Sequence, residues 1–351
     1  MKKYLMIFLT LGALICTAGC TGKKESGNED VKDATGVAKN IEQQKDDVED
    51  NKIKNDAVIM VVGDSKITYS EVVVYIKMLK QQYESTFTSK VWDFPVSDDK
   101  TFEDMAKDEI INQIARLKIM GFEAEDMDVS LNADEKLDIE DDAVKFLQGI
   151  NMDDQKEYGI NQNIVEKIYK DNYLAQKVFD VVTAAVDTNV SDDEATAVDV
   201  KYIKMVFDGT DRKGKTYSGT SQDKEEVRKK MDVLFDEVVT KGKDFDYYAQ
   251  KYSDDEEIAK SLTSADVEEK VYEEARRLSD KQYSSIVEGK DAFYLMYCTN
   301  SKDTSNLEEN KEKIIAKRQD DVFNDLYVKW LGKYDTFIVT DLWNMIHIAQ
   351  I

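Results

Sequence analysis

The run from Lys241 to Glu257, KGKDFDYYAQKYSDDEE, places aromatic residues on one side of a short helical segment and ends in Ser253-Asp254-Asp255. Residues of these types can close an ordinary helix, where acids are common. They can also form the edge of an active site, which needs a titratable partner with a pKa near neutrality. Histidine is the usual partner, and the chain has one, His347. It stands in a terminal alternating segment with no Cys or His cluster around it, so no zinc or nucleophilic site is expected there. Cys298 reads as a small core residue rather than a reactive thiol. The acidic runs Asp46-Asp47 with Glu49-Asp50, and Glu140-Asp141-Asp142, lack the glycine and terminal glutamate of a calcium loop and read as solvated faces. No metal and no cofactor is expected.

The first residues, MKKYLMIFLTLGALICTAGC, put Lys2 and Lys3 ahead of an uncharged run from Tyr4 to Cys16, followed by small residues. This predicts a secretory signal over residues 1–19. The run is shorter than the roughly 20 apolar residues that a spanning helix needs. Thr17-Ala18-Gly19-Cys20 resembles the lipobox of bacterial lipoproteins, which implies diacylation at Cys20 and anchoring to the extracytoplasmic face of the cell membrane; two acyl chains suffice for stable anchoring. Removing residues 1–19 takes away Lys2 and Lys3 and no acid, so the formal charge goes from −24 to −26. That balance excludes nucleic acid as a partner, because phosphate backbones are bound by clustered Lys and Arg. Cys298 is then the one thiol left besides the lipidated cysteine, so no internal disulfide is expected.

Residues 20–55 follow as a lipidated cysteine and a tether. No aromatic residue occurs there, and too few branched apolar residues to offset chain entropy. Folding begins at AVIMVVGDSKITYSEVVVYIKML: a strand from Ala57 to Val62, a turn at Gly63-Asp64-Ser65, and a helix opened by the capping-box pattern Thr68-x-x-Glu71. Helical spacing continues from Thr101 to about Met127 and onward to Val190, and Ser191-x-x-Glu194 is a second capping-box pattern. The period then switches to two in VDVKYIKMVF, which sets a domain boundary near residue 198. Val227, Met231, Leu234, Phe235 and Val238 mark a helix that stops at Gly242. The opening stretch gives a second short helix, Val271 to Leu278 a third, and Ala292 to Cys298 a closing strand. Glu308 to Lys333 is helical again, and DTFIVTDLWNMIHIAQI alternates like one or two terminal strands.

In this order, on such a signal, the chain resembles the SurA/PrsA-type foldases, in which a helical chaperone domain built from N- and C-terminal segments carries an inserted parvulin-like (PpiC-type) peptidyl-prolyl isomerase domain. VVGDSKITYSEV is similar to the opening of the chaperone domain, and GKDFDYYAQKYSDD to the parvulin stretch. The resemblance implies an α+β fold: a mostly helical, SurA-N-like domain over 56–198 completed by 303–351, with a parvulin-like domain at 199–302. It also implies which positions would form the isomerase site. The family's two strand histidines fall on Lys204 and Tyr294, its Cys or Asp after the Ser-Asp pair falls on Asp255, and Tyr272 is the nearest match to an apolar residue lining the proline pocket. The glycine-rich segment after that pair is replaced by IAKSLTSADVEEKVYEE.

Parvulins grip a proline ring beside a hydrogen-bonded imidazole pair and lower a rotation barrier of about 18–20 kcal/mol. A lysine ammonium only donates, and a phenol titrates near 10, so Lys204 and Tyr294 cannot share a proton as two imidazoles do. Asp255 beside Lys204 makes an ion pair instead. The expectation is therefore a membrane-anchored extracytoplasmic chaperone that binds unfolded or partly folded exported polypeptides, its parvulin-like domain catalytically inactive. Two alternatives are an active isomerase with an atypical site and a surface lipoprotein with one specific partner. Oligomeric state is left open.

Overall fold

The computed structural model describes residues 48–49, 52–96 and 100–351. The signal, Cys20 and the expected tether up to residue 47 lie outside these. The chain forms two compact units. One runs up to Val182 and resumes at Asp325–Ile351, and the other spans Thr183–Asn324. The fold is α+β.

The first unit opens with β1 (Val48–Glu49) and β2 (Lys52–Ile53), an antiparallel pair with Glu49 opposite Lys52. This corrects the expectation of a structureless tether through residue 55. Opposite charges face each other across the pair, Lys52 reaches Glu157 at 3.2 Å, and the Asn55 side chain donates to the Glu157 carbonyl at 3.1 Å. β3 (Val58–Val62) and β4 (Ser65–Thr68) form a hairpin around Gly63, whose φ is +50°. A Cβ there would also lie 3.0 Å from the Phe122 ring, so the turn needs glycine. The sequence reading passes straight from this turn into a helix. Ser65–Thr68 pairs first because Ile67, opposite Met60, has a core to enter.

α1 (Tyr69–Glu84) starts at Thr68, whose hydroxyl accepts the Glu71 N–H. The expected capping box is only half made, because the Glu71 carboxylate is engaged elsewhere. A 3-10 turn (Ser89–Asp93) leads to α2 (Phe102–Asp126), where Thr101 and Asp104 complete a reciprocal box. α3 (Ala133–Gln148), α4 (Met152–Glu157) and α5 (Gln162–Thr183) follow. Glu71 on α1 bonds Lys118 on α2 at 2.7 Å and Lys167 on α5 at 2.8 Å, and Lys118 bonds Asp171 on α5 at 2.6 Å. The Lys118 and Glu71 side chains are only 3% and 4% exposed. Desolvation opposes the Lys118 charge, but Asp171 and Glu71 together raise its pKa, which keeps the ammonium charged.

The second unit begins with α6 (Asp192–Ala195), capped by Ser191, while the Glu194 carboxylate turns to Arg318 rather than completing a box. β5 (Ala197–Val206) is followed by the hairpin β6 (Asp208–Thr210) and β7 (Thr216–Ser218). α7 (Ser221–Phe235) widens into a π turn (Asp236–Thr240) and ends ahead of Gly242, at φ +64°. Next come α8 (Phe245–Tyr252), β8 (Ala259–Leu262), α9 (Glu269–Ala275), β9 (Val287–Glu288), β10 (Ala292–Asp303) and α10 (Leu307–Leu331). The strands make an antiparallel sheet in the order β8-β5-β10-β9. β8 and β9 have no counterpart in the strand–helices–strand reading, being only four and two residues long.

Both faces of this sheet are buried. Ile203, Phe293 and Leu295 pack with Met231 and Leu234 of α7 and Phe245 and Ala249 of α8. Val198, Val200, Met296 and Cys298 pack with Val271 and Ala275 of α9. Cys298 is a free, fully buried thiol whose pKa burial raises. The unit is wider than the 199–302 module because Val190, Ala195 and Ile314 share a small core and Asn310 donates to the Ala195 carbonyl at 2.9 Å. The division between units then falls within α10.

Returning to the first unit, β11 (Thr336–Ile338) pairs with β3. The second terminal strand that the alternation suggests is instead α11 (Thr340–Asn344) and a 3-10 turn (Ile348–Gln350). Leu342, Trp343 and Ile346 are buried at helical spacing, and Lys107 donates to the Trp343 and Ile346 carbonyls at 3.0 and 2.9 Å. No helix among the described residues is long and apolar enough to cross a membrane.

Candidate functional site

Ser253 and Asp254 follow α8 and lie along β5. β8 pairs with β5 only as far as Lys201, and the Tyr202 N–H still reaches the Ile258 carbonyl at 2.8 Å. Beyond that point the β5 backbone needs other partners. The Ser253 hydroxyl accepts the Lys204 N–H at 3.1 Å, and the Asp254 N–H donates to the Lys204 carbonyl at 2.8 Å. The Asp254 carboxylate accepts the Val206 N–H at 2.7 Å and the Arg212 N–H at 3.2 Å. Ser253-Asp254 thus acts as a substitute strand for the end of β5, a role set by backbone hydrogen bonding alone.

Lys204 and Tyr294 are direct cross-strand partners on β5 and β10. The Lys204 Nζ lies 6.0 Å from the Tyr294 ring centre and 4.0 Å from a carboxylate oxygen of each of Asp255 and Asp291. Asp255 also accepts the Tyr202 hydroxyl at 2.6 Å and has Lys260 at 3.8 Å. Three of the four sequence-predicted positions therefore come together. Tyr272, on α9, is buried, with Arg276 over its ring at 5.9 Å. The acids that raise its pKa after burial are Glu273, Glu194 and Asp193, whereas Tyr294 feels Asp291, Glu268 and Asp255, so the two phenols occupy different surroundings.

Tyr202, Asp291 and Lys260 were not singled out from sequence. Tyr202 had a usable signal, since it lies two residues before Lys204 on the same strand face. Asp291 and Lys260 join only through strand pairing. Burial, and for Tyr202 the bond to Asp255, push both the Tyr202 and Tyr294 phenols well above the ordinary 10. Both phenols therefore keep their protons at neutral pH. Gly289 lets the Tyr294 ring pack closely: a Cβ there would sit 2.9 Å from both that ring and the Glu268 carboxylate. The cluster can bind through charge and hydrogen bonds. It offers donors and carboxylates, and no neutral imidazole. Among the described residues no group of three or more His, Cys, Asp or Glu is placed to hold a metal ion. His347 lies elsewhere, 3.3 Å from Glu103.

No family model matches the chain, and no curated protein does. The solved structures it resembles include a peptidylprolyl isomerase (PrsA) from Bacillus anthracis, 16% identical, covering 64% of this chain and 96% of that one with a TM-score of 0.36. The foldase protein PrsA of Streptococcus pneumoniae is 16% identical, with 74% and 85% covered and a TM-score of 0.29. A structure from a pair of SurA-like chaperones of Campylobacter jejuni is 12% identical, with 80% and 98% covered and a TM-score of 0.29. The chemistry at this site has to be argued from the chain's own residues.

Proposed function

We propose that this protein is an extracytoplasmic chaperone, anchored through a lipidated Cys20, that holds unfolded or partly folded exported polypeptides without isomerising their prolyl bonds. One observation supports holding above others. The connection between α1 and α2 carries Phe87 and Phe94 at 54% and 62% exposure, with Val96 at 38%. Large apolar side chains left in water on one connection are candidates for contact with an apolar partner. The Lys204–Asp255–Asp291 cluster supports the absence of isomerisation, since a donor-only ammonium between two acids stands where a proton-sharing pair would be needed.

The test uses the lipid-free chain, residues 21–351, added to several unrelated denatured proteins. It should slow the aggregation of each, and Phe87→Ser with Phe94→Ser should remove most of the effect. A wild-type chain that protects none of them contradicts holding, and protection of a single protein points to one specific partner. Anchoring is tested in cells, where Cys20→Ala should abolish fatty-acid labelling.

A further inference from the structure

α11 and the turn after it are fastened to α1 and α2 by charged side chains. Besides holding the Trp343 and Ile346 carbonyls, Lys107 of α2 lies 5.2 Å from the Trp343 ring centre. Lys80 of α1 donates to the Ile348 carbonyl at 3.1 Å, and Lys77 of α1 to that of Ile351. Carbonyls at the end of a helical turn lack a partner within it and favour cations. Glu103, in the first turn of α2, adds a carboxylate: one oxygen accepts the Ala349 N–H at 3.2 Å, and the other stands 3.3 Å from Nδ1 of His347, the chain's one histidine. The Glu103 side chain is 15% exposed and that of His347 52%.

A neutral imidazole carries a hydrogen at Nδ1 in only one of its two tautomers. An imidazolium always carries one there, and it sets a positive charge opposite the carboxylate. The carboxylate itself sits where the α2 helix end favours negative charge. The other charged groups around the contact come from four elements. Lys107 of α2 also faces Glu103, which together with Asp104 and Asp108 raises its pKa against the larger lowering by burial. Lys52 of β2 and Glu157 of α4 line the same cleft as His347 and are matched to each other at 3.2 Å, and Lys77 of α1 is matched to Asp154 of α4 at 2.5 Å. Lys90 and Asp93 stand on the 3-10 turn that packs against Ile348–Gln350. Lysines ordinarily titrate near 10.4 and carboxylates near 4, so mild acid changes the charge of the imidazole and leaves theirs. We propose that residues 345–351 form a pH-sensitive clasp: on gaining a proton His347 grips Glu103 and fastens the last turn to the start of α2, and on losing it leaves that turn to the lysines and the Ala349 N–H. Docking of this segment then follows the acidity of the medium.

The test is hydrogen exchange of the lipid-free chain at about pH 7.5 and about pH 5.5, on either side of the ordinary histidine pKa, read by mass spectrometry on the peptide that carries Ala349. With the intrinsic pH dependence of exchange divided out, protection of this peptide should rise about two- to fivefold in acid, as a partly exposed ion pair allows. His347→Gln keeps a hydrogen-bond donor without a titrating charge and should show the lower protection at both pH values. His347→Lys carries its charge throughout and should show the higher protection at both, and Glu103→Gln should abolish the rise. Peptides from α5, remote from the clasp in sequence, should exchange alike in all four proteins, which separates the clasp from a change in overall stability. Wild-type protection that does not change with pH, or a rise that survives in His347→Gln, overturns the proposal.

Discussion

The Glu71–Lys118–Asp171–Lys167 cluster of the first unit and the Lys204–Asp255–Asp291 cluster of the second are made of the same groups at different depths. In the first, contacts are 2.6 to 2.8 Å, and the central Lys118 and Glu71 side chains are nearly inaccessible. In the second, Lys204 stands 4.0 Å from each carboxylate, and the three side chains are 21%, 32% and 47% exposed. The deep cluster ties three helices together and cannot lose a member cheaply, because an unpaired charge would remain buried. The shallow one keeps water, which screens its charges. The outline that resembles a catalytic site belongs to the shallow cluster, and its Ser-Asp part is held by the backbone needs of β5. The spacing of Ser253 and Asp254 is therefore accounted for by the backbone groups of β5 that they bond.

The sharpest way to break this contrast is at Glu71. Glu71→Ala should destabilise the first unit by about 3–5 kcal/mol, the usual cost of stripping one partner from a buried pair. All three tryptophans, Trp92, Trp330 and Trp343, lie in that unit, so their fluorescence during urea unfolding reports it alone. A loss below about 1 kcal/mol would mean that the cluster is solvated like its counterpart.

In the second unit the ranking of two neighbours is diagnostic. Asp254→Ala strands two backbone N–H groups and should cost about 2 kcal/mol. Asp255→Ala removes partly exposed ion pairs and the acceptor of the Tyr202 hydroxyl, which water can replace where the carboxylate stood, and should cost about 1 kcal/mol. The labelling rate of the buried Cys298 measures opening of this unit for both variants. A reversed order would make Asp255 the structural residue and Asp254 the dispensable one.

A smaller effect follows from the phenols. Tyr202 and Tyr294 have folded pKa values raised above their unfolded value of 10.0. Above pH 10 the unfolded chain sheds protons that the folded chain retains, so the unfolded state binds fewer and stability falls as pH rises. Their contribution is complete below pH 10 and declines as pH rises toward the folded values. Tyr202→Phe and Tyr294→Phe should each flatten the alkaline decline, read by Cys298 labelling across that range.

Much of this could be read from the chain. Periodicity located β3, α2, β5, α7, α8, β10 and most of α10, because each carries enough apolar residues to show its period. β1, β2 and β9, at two residues each, are too short to show a period, and β8, at four, pairs with a strand about sixty residues earlier. At Glu71 the local pattern misled: a glutamate three residues after threonine signals a capping box, but a lysine 47 positions away takes its carboxylate. Lys204, Tyr294 and Asp255 were found together through resemblance, while Asp291 entered the cluster only once β10 was laid against β5.

The central proposal, that the Lys204, Asp255 and Tyr294 cluster of the second unit does not catalyse prolyl isomerisation, is tested most directly by magnetisation-exchange NMR on an X-Pro peptide with the lipid-free chain added. Uncatalysed exchange takes tens to hundreds of seconds at 25 °C, so even modest catalysis is visible. The account predicts an unchanged exchange rate. Acceleration by the natural sequence that Asp255→Ala abolishes would contradict it and make Lys204, Asp255 and Tyr294 a working, unconventional site.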